Sequence, residues 1–118
     1  MNIVIVHLFH IIFVGGLFLY IGIKQKNMPP FMYNVILATG VFILLYHGYK
    51  GVTKIINGKN AWVNLFHILI VAPLLIYTGY NKQNTPRYCY EFILMLAFAA
   101  IGYHSYYMFF QFSTFPKG

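Results

Sequence analysis

The amino-acid sequence predicts an all-α integral membrane protein with four transmembrane helices, arranged as two tandem two-helix repeats. Three observations lead there. Of the 118 residues, 60% are hydrophobic and only 8% charged, and a soluble domain of this length has no interior able to absorb that balance. The charged residues leave four stretches almost free of them, residues 3–23, 31–49, 61–80 and 92–116. The chain also matches itself when displaced by 57 residues.

Each apolar stretch supplies about 20 residues, which at about 1.5 Å per residue covers a hydrocarbon core of roughly 30 Å. The first has no basic segment before it and no small-residue cleavage site after it, so it is expected to stay in the protein as a helix rather than act as a signal peptide. The break "KQKNMPP" (24–30) separates it from the second, "KIINGKN" (54–60) the second from the third, and "NKQNTPR" (81–87) the third from the fourth. All three breaks carry the Pro, Gly or Asn that turns require. The whole chain, 1–118, is expected to form a single membrane domain ending in a short tail, 115–118.

The net charge of +7 does not signal nucleic acid, because nucleic-acid binding needs a clustered basic patch. Lys50, Lys54, Lys59 and Lys117 fall on the side of the termini and Lys24, Lys26, Lys82 and Arg87 on the other. That even split suits interfacial anchors and leaves the orientation unset. Glu91, the one acidic residue, stands four residues after Arg87 at helical pairing distance. A single cysteine, Cys89, excludes an internal disulfide and a CxxC redox pair. No phosphate-binding glycine motif is present, and no acid completes a catalytic triad beside Ser105 or Ser113. The composition leans away from an enzyme.

Aligning residues 1–57 with 58–114 gives 17 identities without a gap. "LFHI" (8–11) meets "LFHI" (65–68), Tyr20 meets Tyr77, Gly22 meets Gly79, Pro29 meets Pro86, Tyr33 meets Tyr90, and "YHGY" (46–49) meets "YHSY" (103–106). Two helices return each repeat to its starting side, so the copies share one topology, with an expected pseudo-two-fold axis along the membrane normal.

Turning 100° per residue places Val6, His10, Val14, Leu17 and Tyr20 on one arc of the first helix, and Val63, His67, Val71, Leu74 and Tyr77 on the same arc of the third. That arc is the expected packed face. On the second helix Tyr33, Ile36, Leu37, Gly40 and His47 share a face, as do Tyr90, Ile93, Leu94, Ala97 and His104 on the fourth, with Gly40 and Ala97 small enough for close approach. Tyr46, Tyr49, Tyr103 and Tyr106 turn away from those histidines and read as an aromatic belt at the interface.

The candidate site is therefore His10, His47, His67 and His104, expected at matched depth in one leaflet. Ionisable side chains inside a bilayer are costly and mark a functional site by default. With hardly any acid for a partner, imidazoles suit haem iron or a transition metal (Fe, Cu or Zn), held from facing helices, with Phe9, Phe13, Phe66 and Phe98 as expected walls. The expected role is electron transfer or sensing. One alternative is an oligomeric proton or ion channel, since histidine titrates near neutral pH and Gly16 and Pro73 could open helices in mid-membrane. The other is a structural membrane protein without a cofactor. The expected partners are the lipid bilayer and further copies of the chain. His7, matched by Asn64 at the 57-residue offset, reads as a core residue bonded to a backbone carbonyl.

Overall fold

The computed structural model describes residues 3–114, with side chains over 3–110; the expected tail, 115–118, lies outside the described residues. Four helices account for nearly all of it: α1 (Ile3–Asn27), α2 (Phe31–Ile56), α3 (Trp62–Asn84) and α4 (Arg87–Thr114). All four are long and apolar enough to cross a membrane. Each runs beyond the polar end of its apolar stretch, so the expected breaks shrink to short turns.

Those turns follow from local chemistry. α1 leaves its α-helical course at Gln25 (φ 51°, ψ −126°) and α3 at Lys82 (φ 51°, ψ −129°), each followed by one 3-10 turn, Gln25–Asn27 and Lys82–Asn84. Positive φ at a side-chain-bearing residue costs on the order of 1–3 kcal/mol, and it occurs at the same place near the ends of α1 and α3. Pro29 and Pro86 then accept the first helical bonds of α2 and α4, from Met32 N at 3.0 Å and Cys89 N at 3.1 Å; a proline suits that place because no N–H is needed there.

α2 ends differently. Gly58 takes φ 69°, and its N–H and that of Lys59 bond back to the Ile55 and Lys54 carbonyls at 3.1 and 2.7 Å, the double closure that a left-handed glycine permits. Asn60 Oδ1 accepts from Trp62 N at 3.0 Å and starts α3.

α1 and α3 are not uniformly α-helical. Each contains five π-helical residues, His10–Val14 and His67–Val71, closed by Gly15 N–H to the His10 carbonyl and Ala72 N–H to the His67 carbonyl. The irregularity expected at Gly16 and Pro73 lies one turn earlier. A π turn holds one extra residue and moves the packed face along the sequence by one position. This corrects the packed arcs of α1 and α3. In α1 the buried residues are His7, Gly15, Phe18, Ile21 and Gly22, and in α3 Asn64, Val71, Ala72, Leu75, Thr78 and Gly79. His10, Leu17 and Tyr20 flank that face. The faces expected on α2 and α4 hold: Tyr33, Ile36, Tyr90, Ile93 and Ala97 are fully buried.

The helices form two compact units. One joins α1, up to Gln25, with α4 from Tyr90 onward; the other spans Lys26–Cys89 and joins α2 with α3. Each unit thus pairs a helix from residues 1–57 with one from residues 58–114. In the α1–α4 unit, a Cβ added at Gly22 would lie 2.5 Å from Leu94 Cβ, and one at Gly15 2.6 Å from Ile101 Cγ1. In the α2–α3 unit, one at Gly79 would lie 2.6 Å from Leu37 N, and one at Gly40 3.0 Å from Ile76 N. At Gly22, Gly40 and Gly79 the partner's backbone is among the nearest atoms, so glycine suits these crossings; at Gly15 the neighbour is the Ile101 side chain.

Candidate functional site

Of the four predicted histidines, the structure brings His10 against His104 in one unit and His67 against His47 in the other. The His10 and His104 rings stack with centroids 4.3 Å apart and planes 22° apart. Those of His47 and His67 stack at 4.0 Å and 7°. Within each unit the two histidines therefore stand at one level along the helices, as antiparallel placement requires.

Two residues that the sequence reading set aside complete these clusters. His7 Nδ1 lies 2.8 Å from His104 Nδ1, and Asn64 Nδ2 lies 2.9 Å from His47 Nδ1. His7 and Asn64 are both buried. The expected backbone-carbonyl bond belongs instead to His10, whose Nδ1–H donates to the Val6 carbonyl at 2.7 Å, and to His67, whose Nδ1–H donates to Val63 at 2.7 Å. The signal that could have found His7 and Asn64 is a polar residue kept at one offset inside two apolar runs, even though its identity changed.

The tyrosines are also closer than the helical wheel allows. Tyr46 meets the His47 ring edge-on at 5.3 Å and Tyr103 meets His104 at 5.1 Å, because adjacent rings on a helix can lean together. Tyr49 and Tyr106 stay exposed, at 72% and 61%. The expected aromatic walls are not walls: Phe13 and Phe98 are 66% and 62% exposed, and only Phe9 and Phe66 touch the clusters, edge-on to His10 and His67.

A shared metal ion fits the stacked pairs poorly. A ligating nitrogen directs its lone pair within its ring plane at about 2.0–2.1 Å from the metal, and two stacked rings hold those planes side by side, so one ion cannot lie in both. Among the described residues, no group of three or more His, Cys, Asp or Glu side chains is placed to hold a metal ion. Taken singly, His10 and His67 do carry the arrangement of a ligating histidine, with Nδ1–H tied to a carbonyl and Nε2 left as the basic nitrogen.

What the clusters can do chemically is hold and exchange protons. Either imidazole can be the donor between His7 and His104, and when the pair carries one extra proton the bridging proton can belong to either Nδ1, the kind of exchange imidazole supports. No protein-family model, curated protein or solved structure matches this chain.

Proposed function

We propose that this chain is a small multi-pass integral membrane protein, built by tandem duplication, whose buried histidine clusters bind protons and pass them through the membrane interior. The observation that carries this reading is the bond between two imidazoles, His7 Nδ1 to His104 Nδ1 at 2.8 Å, with His10 stacked on it at 4.3 Å. Duplication is supported by the return at 57 residues of the π turn, the positive-φ helix end, the stacked pair and the carbonyl-bonded histidine.

The test is proton uptake into liposomes that carry the purified protein and an internal pH dye, under an imposed gradient. The wild type is expected to exceed protein-free liposomes. His104→Gln, in protein that still inserts and keeps its helical circular dichroism, is expected to return to that baseline. Wild-type flux equal to protein-free liposomes would overturn the proposal.

A second reading rests on His10 and His67, whose Nδ1–H bonds to carbonyls leave Nε2 suited to haem iron or a transition metal. Absorption spectra and metal analysis of protein purified from membranes decide it. A colourless, metal-free preparation with normal flux removes this reading.

A further inference from the structure

We infer that the two histidine clusters are unequal proton sites: His7 and His104 share an exchangeable proton, whereas Asn64 locks His47 as the neutral Nε2–H tautomer. The argument begins with what can donate. An amide nitrogen carries hydrogens and no lone pair for acceptance, so the 2.9 Å bond between Asn64 Nδ2 and His47 Nδ1 runs toward the imidazole. Nδ1 of His47 must then be the bare nitrogen, and its ring proton sits on Nε2.

The equivalent bond in the other unit has no such direction. Both atoms are imidazole Nδ1, each able to donate or accept, so either ring can be the donor. In the neutral pair the Nδ1 proton cannot cross alone, because that would leave an imidazolate facing an imidazolium. Once the pair takes up one more proton, both Nε2 atoms are protonated and the single proton between the two Nδ1 atoms can belong to either ring, so the uptake titrates as a property of the pair. Protonating His47 at Nδ1 would instead put an N–H against the Asn64 amine and require the amide to turn over and present its Oδ1.

The surroundings do not cancel this difference. On the His7–His104 pair, α1 contributes the stacked His10 and α4 the edge-on Tyr103. On His47, α3 contributes the stacked His67 and α2 the edge-on Tyr46. These ring neighbours match in kind, and position 7 against position 64 is a difference between the two clusters. Glu91 is 13 residues before His104 on α4, about 20 Å away along the helix at 1.5 Å per residue. Asn64 itself is 4% exposed, and its Oδ1 has no hydrogen-bond partner among the described residues, a buried acceptor that carries a cost.

The functional consequence rests on the proton reading above: the His7–His104 pair exchanges a proton and Asn64 is a positioning residue that keeps His47 neutral. The tautomers themselves do not rest on it. The test is nitrogen-15 NMR of histidine-labelled full-length protein in lipid bilayers across the neutral pH range. His47 is expected to show a bare Nδ1 and a protonated Nε2 throughout, and His7 and His104 one protonated and one bare Nδ1 that become an exchange-averaged Nδ1 pair, with both Nε2 protonated, when the pair gains one proton on acidification. Asn64→His is expected to give His47 the averaged signature, and His7→Asn to give His104 the locked one.

A wild-type His47 that carries its proton on Nδ1, or that titrates together with His104, overturns the inference without any variant being needed. Locked and exchanging signatures in a protein without proton flux would sink the transport proposal and leave the tautomer assignment standing. Flux with equal tautomers would do the reverse.

Discussion

His7 and His104 stand 97 residues apart in the chain and meet through their Nδ1 atoms at 2.8 Å. The contact joins the beginning of α1 to the far half of α4, and its counterpart at 57 residues joins Asn64 to His47. A polar bond of this kind in an apolar helix pair adds only about 0.6–2 kcal/mol. Its importance is therefore less in stability than in fixing which histidine nitrogens hold protons.

Close helix crossing makes the sharpest stability prediction. Gly22→Ala and Gly79→Ala place a methyl 2.5–2.6 Å from Leu94 and Leu37 atoms that include backbone, and each is expected to cost about 1–3 kcal/mol. Gly16→Ala meets nothing within 4 Å and is expected to stabilise α1 by about 0.5–1 kcal/mol, as alanine does over mid-helix glycine. Thermal unfolding in one detergent should rank Gly16→Ala above wild type and both others below it.

The π turn predicts an unusual tolerance. Removing Ile12, which is 60% exposed and lies within His10–Val14, converts the π segment to ordinary α-helix and keeps His7 aligned with Gly15, Phe18 and Gly22. Removing Leu19 from the regular part of α1 rotates everything before it by about 100°. The first deletion is expected to give folded, monodisperse protein on size exclusion, and the second aggregated protein. Equal behaviour of the two would show that the π turn does not absorb a residue.

Thr78 is fully buried and its hydroxyl has no hydrogen-bond partner among the described residues, although its carbonyl accepts from Thr85 Oγ1 at 3.0 Å. The position 57 residues earlier is Ile21, also fully buried. Thr78→Val keeps the shape and removes the unpaired hydroxyl, so a gain of about 1 kcal/mol is expected. A lowered unfolding midpoint would mean that the hydroxyl has a partner in the membrane-embedded protein.

Trp62, the single tryptophan, opens α3 and is 54% exposed. If α3 crosses a bilayer, this indole belongs near the headgroups. Its fluorescence in liposomes is expected to be quenched more by lipids labelled near the headgroup than by lipids labelled at the chain ends. The opposite ranking counts against the membrane placement of α3.

Helix number, helix order and the packed faces of α2 and α4 were all legible in the sequence, because charge-free stretches and a 3.6-residue period report directly on helices that bury one side. The retained His47, His104, His10 and His67 were legible for the same reason: an ionisable group is conspicuous in an apolar run. The arcs of α1 and α3 were not, since a wheel at 100° per residue has no place for the extra residue at His10–Val14 and His67–Val71. His7 and Asn64 escaped because identity was the criterion, and the two positions share a role while differing in side chain.

Which helix meets which was decided only by tertiary structure. The sequence left the pairing of the helices open; within the two units α1 packs with α4 and α2 with α3. A helix face records that it is buried but not against what; the partner is chosen where glycine lets backbones approach, Gly22 at Leu94 and Gly79 at Leu37. That choice sets His7 against His104 and Asn64 against His47, the two contacts from which the proposed difference between the clusters follows.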